Sequence, residues 1–158
     1  MSDPVPASAA GKLICFEIRG QRMGCPIRDV KETIVLRPIT RVFLVPAWVA
    51  GIINLRGDIV AVLDLGAFLG LGSIVPGPEA RIVIVRVGAE VAGLLVDRLA
   101  EVRSVDVQDL APPPPTVAAD LAAVLSDVAT LPGGAPLAVL APKKLFDSER
   151  LRAFARRA

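Results

Sequence analysis

The chain has 158 residues, 53% of them apolar and 22% charged, which is enough for one packed domain and too apolar for a disordered segment. Its 18 basic and 16 acidic side chains nearly cancel and are spread along the sequence, so the charge offers no field of the kind nucleic acid requires. Five Phe, one Trp and the absence of Tyr and His leave little for base stacking or imidazole chemistry.

The longest uncharged runs, Val42 to Leu55 and Val128 to Pro142, are shorter than a membrane-spanning helix and are broken by Pro and Gly. Residues 1–11 have neither a basic start nor an apolar stretch. They are expected to form a flexible tail, not a secretion signal, on a cytoplasmic protein.

Leu13 to Arg19 alternates, with Phe16 and Ile18 on one face and Glu17 and Arg19 on the other, and so predicts a half-buried strand. A turn at Gly20-Gln21 returns the chain through Met23 to Ile27. That turn sets Phe16 opposite Cys25 and puts Cys15 on the other face; a three-residue turn would bring the two cysteines together. The first arrangement is expected, with two separate buried thiols in a reducing compartment. Val30, Ile34 and Val35 continue as a strand with Glu32 in its middle. Pro46 to Ala50 reads as a single helical turn stopped by Gly51.

A hairpin follows: Ile52 to Leu55 in, a turn at Gly57-Asp58, and Ile59 to Leu63 out. Arg56, a permanent charge between two apolar runs, is either a solvated turn residue or held by a carboxylate. Glu32 is either a solvent-side residue or the partner of such an arginine. Arg56-Gly57-Asp58 matches a cell-adhesion tripeptide by chance, its physical content being a turn.

Asp64 is a candidate cap for a short helix carrying Leu65, Phe68 and Leu69. Arg81 to Val87 and Glu90 to Val96 form a strand pair turning at Gly88-Ala89, and Arg98 to Val107 alternates again. Pro112 to Pro115 is a stiff spacer. A short helix at Val117 to Leu121 and a strand pair around Gly133-Gly134 come next. An amphipathic helix over about 143–157 closes the chain, with Leu145, Phe146, Leu151 and Phe154 inward and its cations mostly outward. The many short strands between regular turn signals argue for small barrels. A weak echo between Ile18 to Ile27 and Val87 to Val96 suggests two similar lobes.

Catalytic equipment is sparse. The cysteines lie in apolar strands without an activating imidazole, no carboxylate pair stands at acid–base spacing, and the glycine-rich stretch from Gly66 to Gly77 lacks a phosphate-loop lysine. The expectation is a non-enzymatic protein with no cofactor and no metal. Its apolar excess points to protein–protein contact.

The stretch Gly51-Ile-Ile-Asn-Leu-Arg-Gly-Asp-Ile-Val-Ala-Val-Leu-Asp-Leu65 resembles the signature of the CheW-like family, the coupling proteins of bacterial chemosensory arrays. Gly51, Asn54, Leu55, Arg56, Gly57, Val62, Asp64 and Leu65 match the pattern, and Ala61 stands where the family usually has Pro. Cys15 to Ile18 with Gly20 and Gly24, Val30-Lys-Glu32, Val91 to Asp97 and Pro142 to Phe146 extend the likeness along most of the chain; the stretch from Pro112 to Gly134 is least like the family. The resemblance implies a mostly β fold of two small SH3-like five-stranded barrel lobes sharing a hydrophobic core, with short helices and a C-terminal helix. Residues 12–158 would form one domain, with the lobe boundary near 70–80 and end strands crossing between lobes.

It further implies a scaffold that couples chemoreceptor tips to the regulatory domain of a CheA-type histidine kinase and is recruited to the inner face of the membrane through receptor arrays, without inserting. Other CheW-like proteins in the array are further possible partners. By position, Glu32 and Arg56 would form a functional ion pair, Val30, Gly51 and Gly57 would contact the kinase, and Leu99 and Val102 would contact the receptor. Two alternatives remain: a coupling protein of a non-flagellar pathway (twitching, development or second-messenger control), and a small barrel binding nucleic acid or a ligand.

Overall fold

The computed structural model describes residues 10–157, and side chains through Phe154. Most of the tail expected over 1–11 lies outside the described residues. Eleven strands run as β1 (Gly11–Ile18), β2 (Gln21–Pro26), β3 (Val30–Val35), β4 (Val49–Leu55), β5 (Asp58–Asp64), β6 (Arg81–Val87), β7 (Glu90–Val96), β8 (Arg98–Val105), β9 (Leu110–Ala111), β10 (Leu125–Thr130) and β11 (Pro136–Leu140). The α-helices are α1 (Leu65–Phe68), α2 (Ala119–Ala122), α3 (Pro142–Asp147) and α4 (Glu149–Arg157).

The strands form two sheets, ordered β8-β1-β2-β11-β10-β9 and β3-β6-β7-β5-β4. The first thus has six strands where five were expected, its extra member being the two-residue β9. Each sheet is assembled from both halves of the chain. β3 follows β2 in sequence but pairs with β6, and β8 follows β7 but pairs with β1.

The echo in the sequence extends to the strand pairing of the two lobes. Val30 pairs with Val85 and Leu99 pairs with Phe16, so both partners shift by 69 residues (Val30 to Leu99, Phe16 to Val85). A β-bulge follows in both lobes, between Val30 and Glu32 in one and between Leu99 and Val102 in the other. The parallel contacts correspond as well. Gly24 of β2 lies opposite Val139 of β11, and Gly93 of β7 lies opposite Val62 of β5. Both glycines stand where a side chain would crowd the core, with Leu13 Cδ1 3.2 Å from a Cβ at Gly24 and Ile82 Cγ2 2.8 Å from one at Gly93.

One core joins the lobes. Phe16, Ile18, Met23, Leu125 and Leu140 of the first sheet pack in one cluster with Ile53, Val62, Ile82, Ile84 and Leu94 of the second, together with Phe68 of α1 and Val124 just before β10. A smaller cluster of Leu13, Cys15, Val105, Ala129, Leu137 and Val139 lies within the first lobe. Cys15 and Cys25 are free and buried, and they belong to these two different clusters.

Several local expectations shift. Both Arg-Gly hairpins turn one residue earlier than the sequence suggests. Arg19-Gly20 joins β1 to β2 and Arg56-Gly57 joins β4 to β5, with positive φ at all four residues (50°, 82°, 51° and 89°). That is the type I′ geometry that matches strand twist. Phe16 therefore faces Met23, and Cys25 faces Ile14. The cysteines still fall on opposite faces, because Cys15 pairs with Gly24, next to Cys25. Pro46 to Val49 is a turn closed by Val49 N donating to Pro46 O at 2.9 Å, and strand, not helix, follows it.

The closing helix is two helices. Ser148 breaks it with ψ 144° and caps α4, its hydroxyl accepting from Leu151 N at 3.4 Å. The bend lets Arg150 donate to Phe68 O at 2.7 Å and lie 3.8 Å over the Phe68 ring, so this cation is half-buried and not outward. The side chains of Arg156 and Arg157 lie outside the described ones.

Candidate docking surface

The β4–β5 hairpin is set by local chemistry at its tip. Asn54 Oδ1 accepts from Gly57 N at 2.8 Å, a side-chain-to-backbone bond that closes the turn. Gly57 supplies φ 89° with nothing within 4 Å of a would-be Cβ. Arg56 takes φ 51°, a conformation uncommon outside glycine, and its guanidinium swings away from the hairpin. There it meets Glu32 with both forks: Nη2 donates to Oε1 at 2.9 Å and Nη1 donates to Oε2. Arg56 is thus an exposed turn residue, its side chain 68% accessible, and at the same time held by a carboxylate.

This pair links distant parts of one sheet. β3 and β4 are its two edge strands, so the Glu32–Arg56 bond ties one edge to the hairpin turn at the other. Arg37 adds a second tie, donating to Asn54 O at 3.0 Å. The Arg56 hydrogen bonds hold the Glu32 carboxyl below its ordinary range. A planar fork on a carboxylate fixes orientation as well as charge, which a lysine would not reproduce.

The other inferred site residues spread over both lobes. Val30 opens β3 and is half-buried. Gly57 is exposed at the turn. Gly51 is buried: Thr40 O lies 2.2 Å from where its Cβ would be, and Thr40 and Ile52 exchange backbone bonds of 2.9 Å beside it. Gly51 therefore offers no side of its own to a partner; it lets the β3–β4 connection lie against β4. Leu99 is half-buried against the shared core, while Val102 is 56% exposed.

By the repeat, Val30 and Leu99 occupy equivalent positions in the two lobes, and so do Glu32 and Glu101. Glu101 also meets arginines, bonding Arg22 and accepting from Arg103 Nε at 3.0 Å. The Arg22 bond, largest among its causes, lowers the Glu101 carboxyl to about 2. Sequence reasoning missed this second cluster. The 69-residue spacing of the two glutamates was its available signal, obscured because their arginine partners do not keep that spacing.

Among the described residues, no group of three or more His, Cys, Asp and Glu is placed to hold a metal ion, and no helix is long and apolar enough to cross a membrane. What the fold presents is a two-lobed β scaffold with ordered ion pairs beside exposed apolar strand residues, the features of a docking module.

The chain belongs to the CheW-like domain family, whose model matches residues 12–150. It is 31% identical to Protein FrzA of Myxococcus xanthus over 92% of this chain and 91% of that one. It is 30% identical to the chemotaxis protein CheW of Treponema pallidum over 91% and 86% respectively. The crystal structure of the scaffolding protein TtCheW from Thermoanaerobacter tengcongensis superposes with a TM-score of 0.79 at 31% identity, covering 89% of this chain and 95% of that one. Two SH3-like barrel lobes are the architecture of this family, and the two sheets here follow it.

Proposed function

We propose that this chain is a non-catalytic adaptor that couples chemoreceptors to a CheA-type histidine kinase in a chemosensory array. The observation that carries this reading is the family-signature hairpin, pinned through Arg56 to Glu32 on the far edge strand. Val30 and Gly57, near that pair, form the kinase-facing surface, with Gly51 acting beneath it by seating the β3–β4 connection. Leu99 and exposed Val102 of the other lobe form the receptor-facing surface. Two equivalent strands on two lobes suit an adaptor that must touch two partners at once. The protein works in the cytoplasm and reaches the membrane's inner face through receptors. Similarity to FrzA is consistent with an output other than flagellar motility, and the receptor–kinase pair encoded with the chain would decide that.

The test is a reconstituted autophosphorylation assay with the kinase and a receptor from the same organism. Receptor control of the kinase should require this protein. Arg56→Ala should abolish that control while leaving the circular-dichroism spectrum native, and Glu32→Arg with Arg56→Glu should restore part of it. A kinase that responds to receptor equally well without this chain would end the adaptor reading. An Arg56→Ala variant with full activity would end the role of the ion pair.

A further inference from the structure

Among the described residues, the most exposed large apolar side chains stand side by side in the connection from β3 to β4. Phe43 is 92% exposed and Leu44 is 103%. Leu44 also takes φ 61°. Among the described residues, the other two non-glycine residues with positive φ, Arg19 and Arg56, sit in hairpin turns and are followed by glycine. Leu44 is in no hairpin, and Val45 follows it. A branched apolar residue held in a disfavoured conformation and fully in water contributes nothing to the core, and such outliers gather at binding sites.

Beside this knuckle lies a cavity of about 570 Å³, lined by Val42, Leu44 and Pro46 of the connection, by Trp48, and by Phe154 of α4. Trp48 is held edge-on to Phe68 and Phe154, with ring centroids at 5.0 and 5.7 Å. The charged group on the lining is Arg150, no carboxylate is among the lining residues, and exposed Arg41 precedes the knuckle. Trp48 and Arg56 flank opposite ends of β4, roughly 26 Å apart at strand rise, so this surface is separate from the ion-pair end. It also lies on the other lobe from Leu99 and Val102.

We propose that the Phe43–Leu44 knuckle and the cavity beside Trp48 are a docking site for an acidic amphipathic helix, one whose apolar stripe is flanked by Glu or Asp. A helix laid between the knuckle and α4 would drop apolar anchors toward Trp48 and bring its carboxylates to Arg41 and Arg150. A second copy of this chain fits poorly, because it would bring the same two arginines to the same face. This surface shares the β3–β4 connection that Gly51 seats, but its lining includes none of Val30, Gly57, Leu99 and Val102.

The test uses the whole chain and two designed helical peptides of about 18 residues with one Leu/Ile stripe, one flanked by Glu and the other by Lys. Trp48 is the sole tryptophan, so its emission reports on the cavity. The Glu peptide should shift that emission and bind at least about tenfold more tightly than the Lys peptide. Phe43→Ser and Leu44→Asn should each weaken binding by about tenfold or more. Phe43→Ser should leave the thermal midpoint unchanged, and Leu44→Asn should leave it unchanged or raised, since asparagine tolerates the left-handed backbone. Three results overturn the proposal: no emission change at about 1 mM peptide, equal binding of both peptides, or tight binding that survives both substitutions. Sedimentation showing a dimer that Phe43→Ser dissolves would assign the patch to a second copy instead.

Discussion

Replacing Gly51 by alanine separates a structural from a contact role in the signature stretch. An added Cβ would lie 2.2 Å from Thr40 O, 2.7 Å from Ile39 Cγ2 and 2.9 Å from the Thr40 carbonyl carbon. Two of these atoms are backbone, tied to Ile52 by paired hydrogen bonds of 2.9 Å, so relief requires breaking that bridge. Losing two such bonds costs about 1–3 kcal/mol. Holding alanine at φ 148° adds roughly 1–2 kcal/mol of backbone strain. The sum, about 2–5 kcal/mol, is a large part of the ~5–15 kcal/mol typical of a domain. Urea unfolding followed by Trp48 emission would read it as a midpoint lowered by about 1–3 M at an unchanged slope of ~1.5 kcal/mol per M. A loss below about 1 kcal/mol would refute the reasoning, showing that the β3–β4 connection yields freely. Kinase binding by the variant, measured well below its midpoint, should then be weakened only as far as the hairpin has moved.

Asp64 is buried, with Oδ1 capping α1 through Ala67 N and Oδ2 accepting from Ile74 N, both at 3.0 Å. Asp64→Ala should destabilise by about 2–4 kcal/mol, one cap plus one stranded donor, and a change under about 1 kcal/mol in urea unfolding would show that water replaces both bonds. Acid stability carries the signature of Glu101 and Glu32, whose carboxyls are lowered in the fold by their arginines. The contribution of Glu101 is complete above the unfolded value of 4.5 and is lost as pH falls toward about 2, and that of Glu32 is lost in the same direction as pH falls below 4.5. The urea midpoint should therefore drop between those pH values, and Glu101→Gln should flatten the drop; an unaltered slope would remove Glu101 from the account. Burial raises both thiols, Cys15 and Cys25, above their ordinary value. Ellman's reagent should find neither in the native protein at pH 8 and both in denaturant, and one fast native thiol would contradict their placement.

Much of the local structure was legible because its causes are local. Arg81 to Val87, Gly88-Ala89 and Glu90 to Val96 match β6, its turn and β7, where alternation and a turn glycine agree. Asp64 caps α1 as its spacing suggests. The hairpin turns were offset by one residue because arginine before the glycine, not aspartate or glutamine after it, shares the left-handed turn, and at β4–β5 the Asn54 side chain selects that register. The break at Ser148 was hidden because residues 143–157 have unbroken helical periodicity. It becomes favourable only when Phe68 and Trp48, some eighty and a hundred residues away, receive Arg150 and Phe154.

The candidate site divides along the same line. The signature from Gly51 to Leu65 named the family and singled out Arg56 as a charge needing a partner, since a lone guanidinium between apolar runs is anomalous on composition alone. Which carboxylate answers it is not a property of either segment: Glu32 is reached because β3 and β4 close opposite edges of one sheet. The sequence by itself determined the strand and turn alphabet, the family and the poverty of catalytic groups, all of them written in periodicity, turn chemistry and residue type. Only the tertiary structure decided the exchange of strands between lobes, the equivalence of Glu32 with Glu101, the burial of Gly51 beneath Thr40 and the exposure of Phe43 and Leu44. Each of these depends on pairings between residues far apart in the chain, where packing, not local preference, sets the outcome.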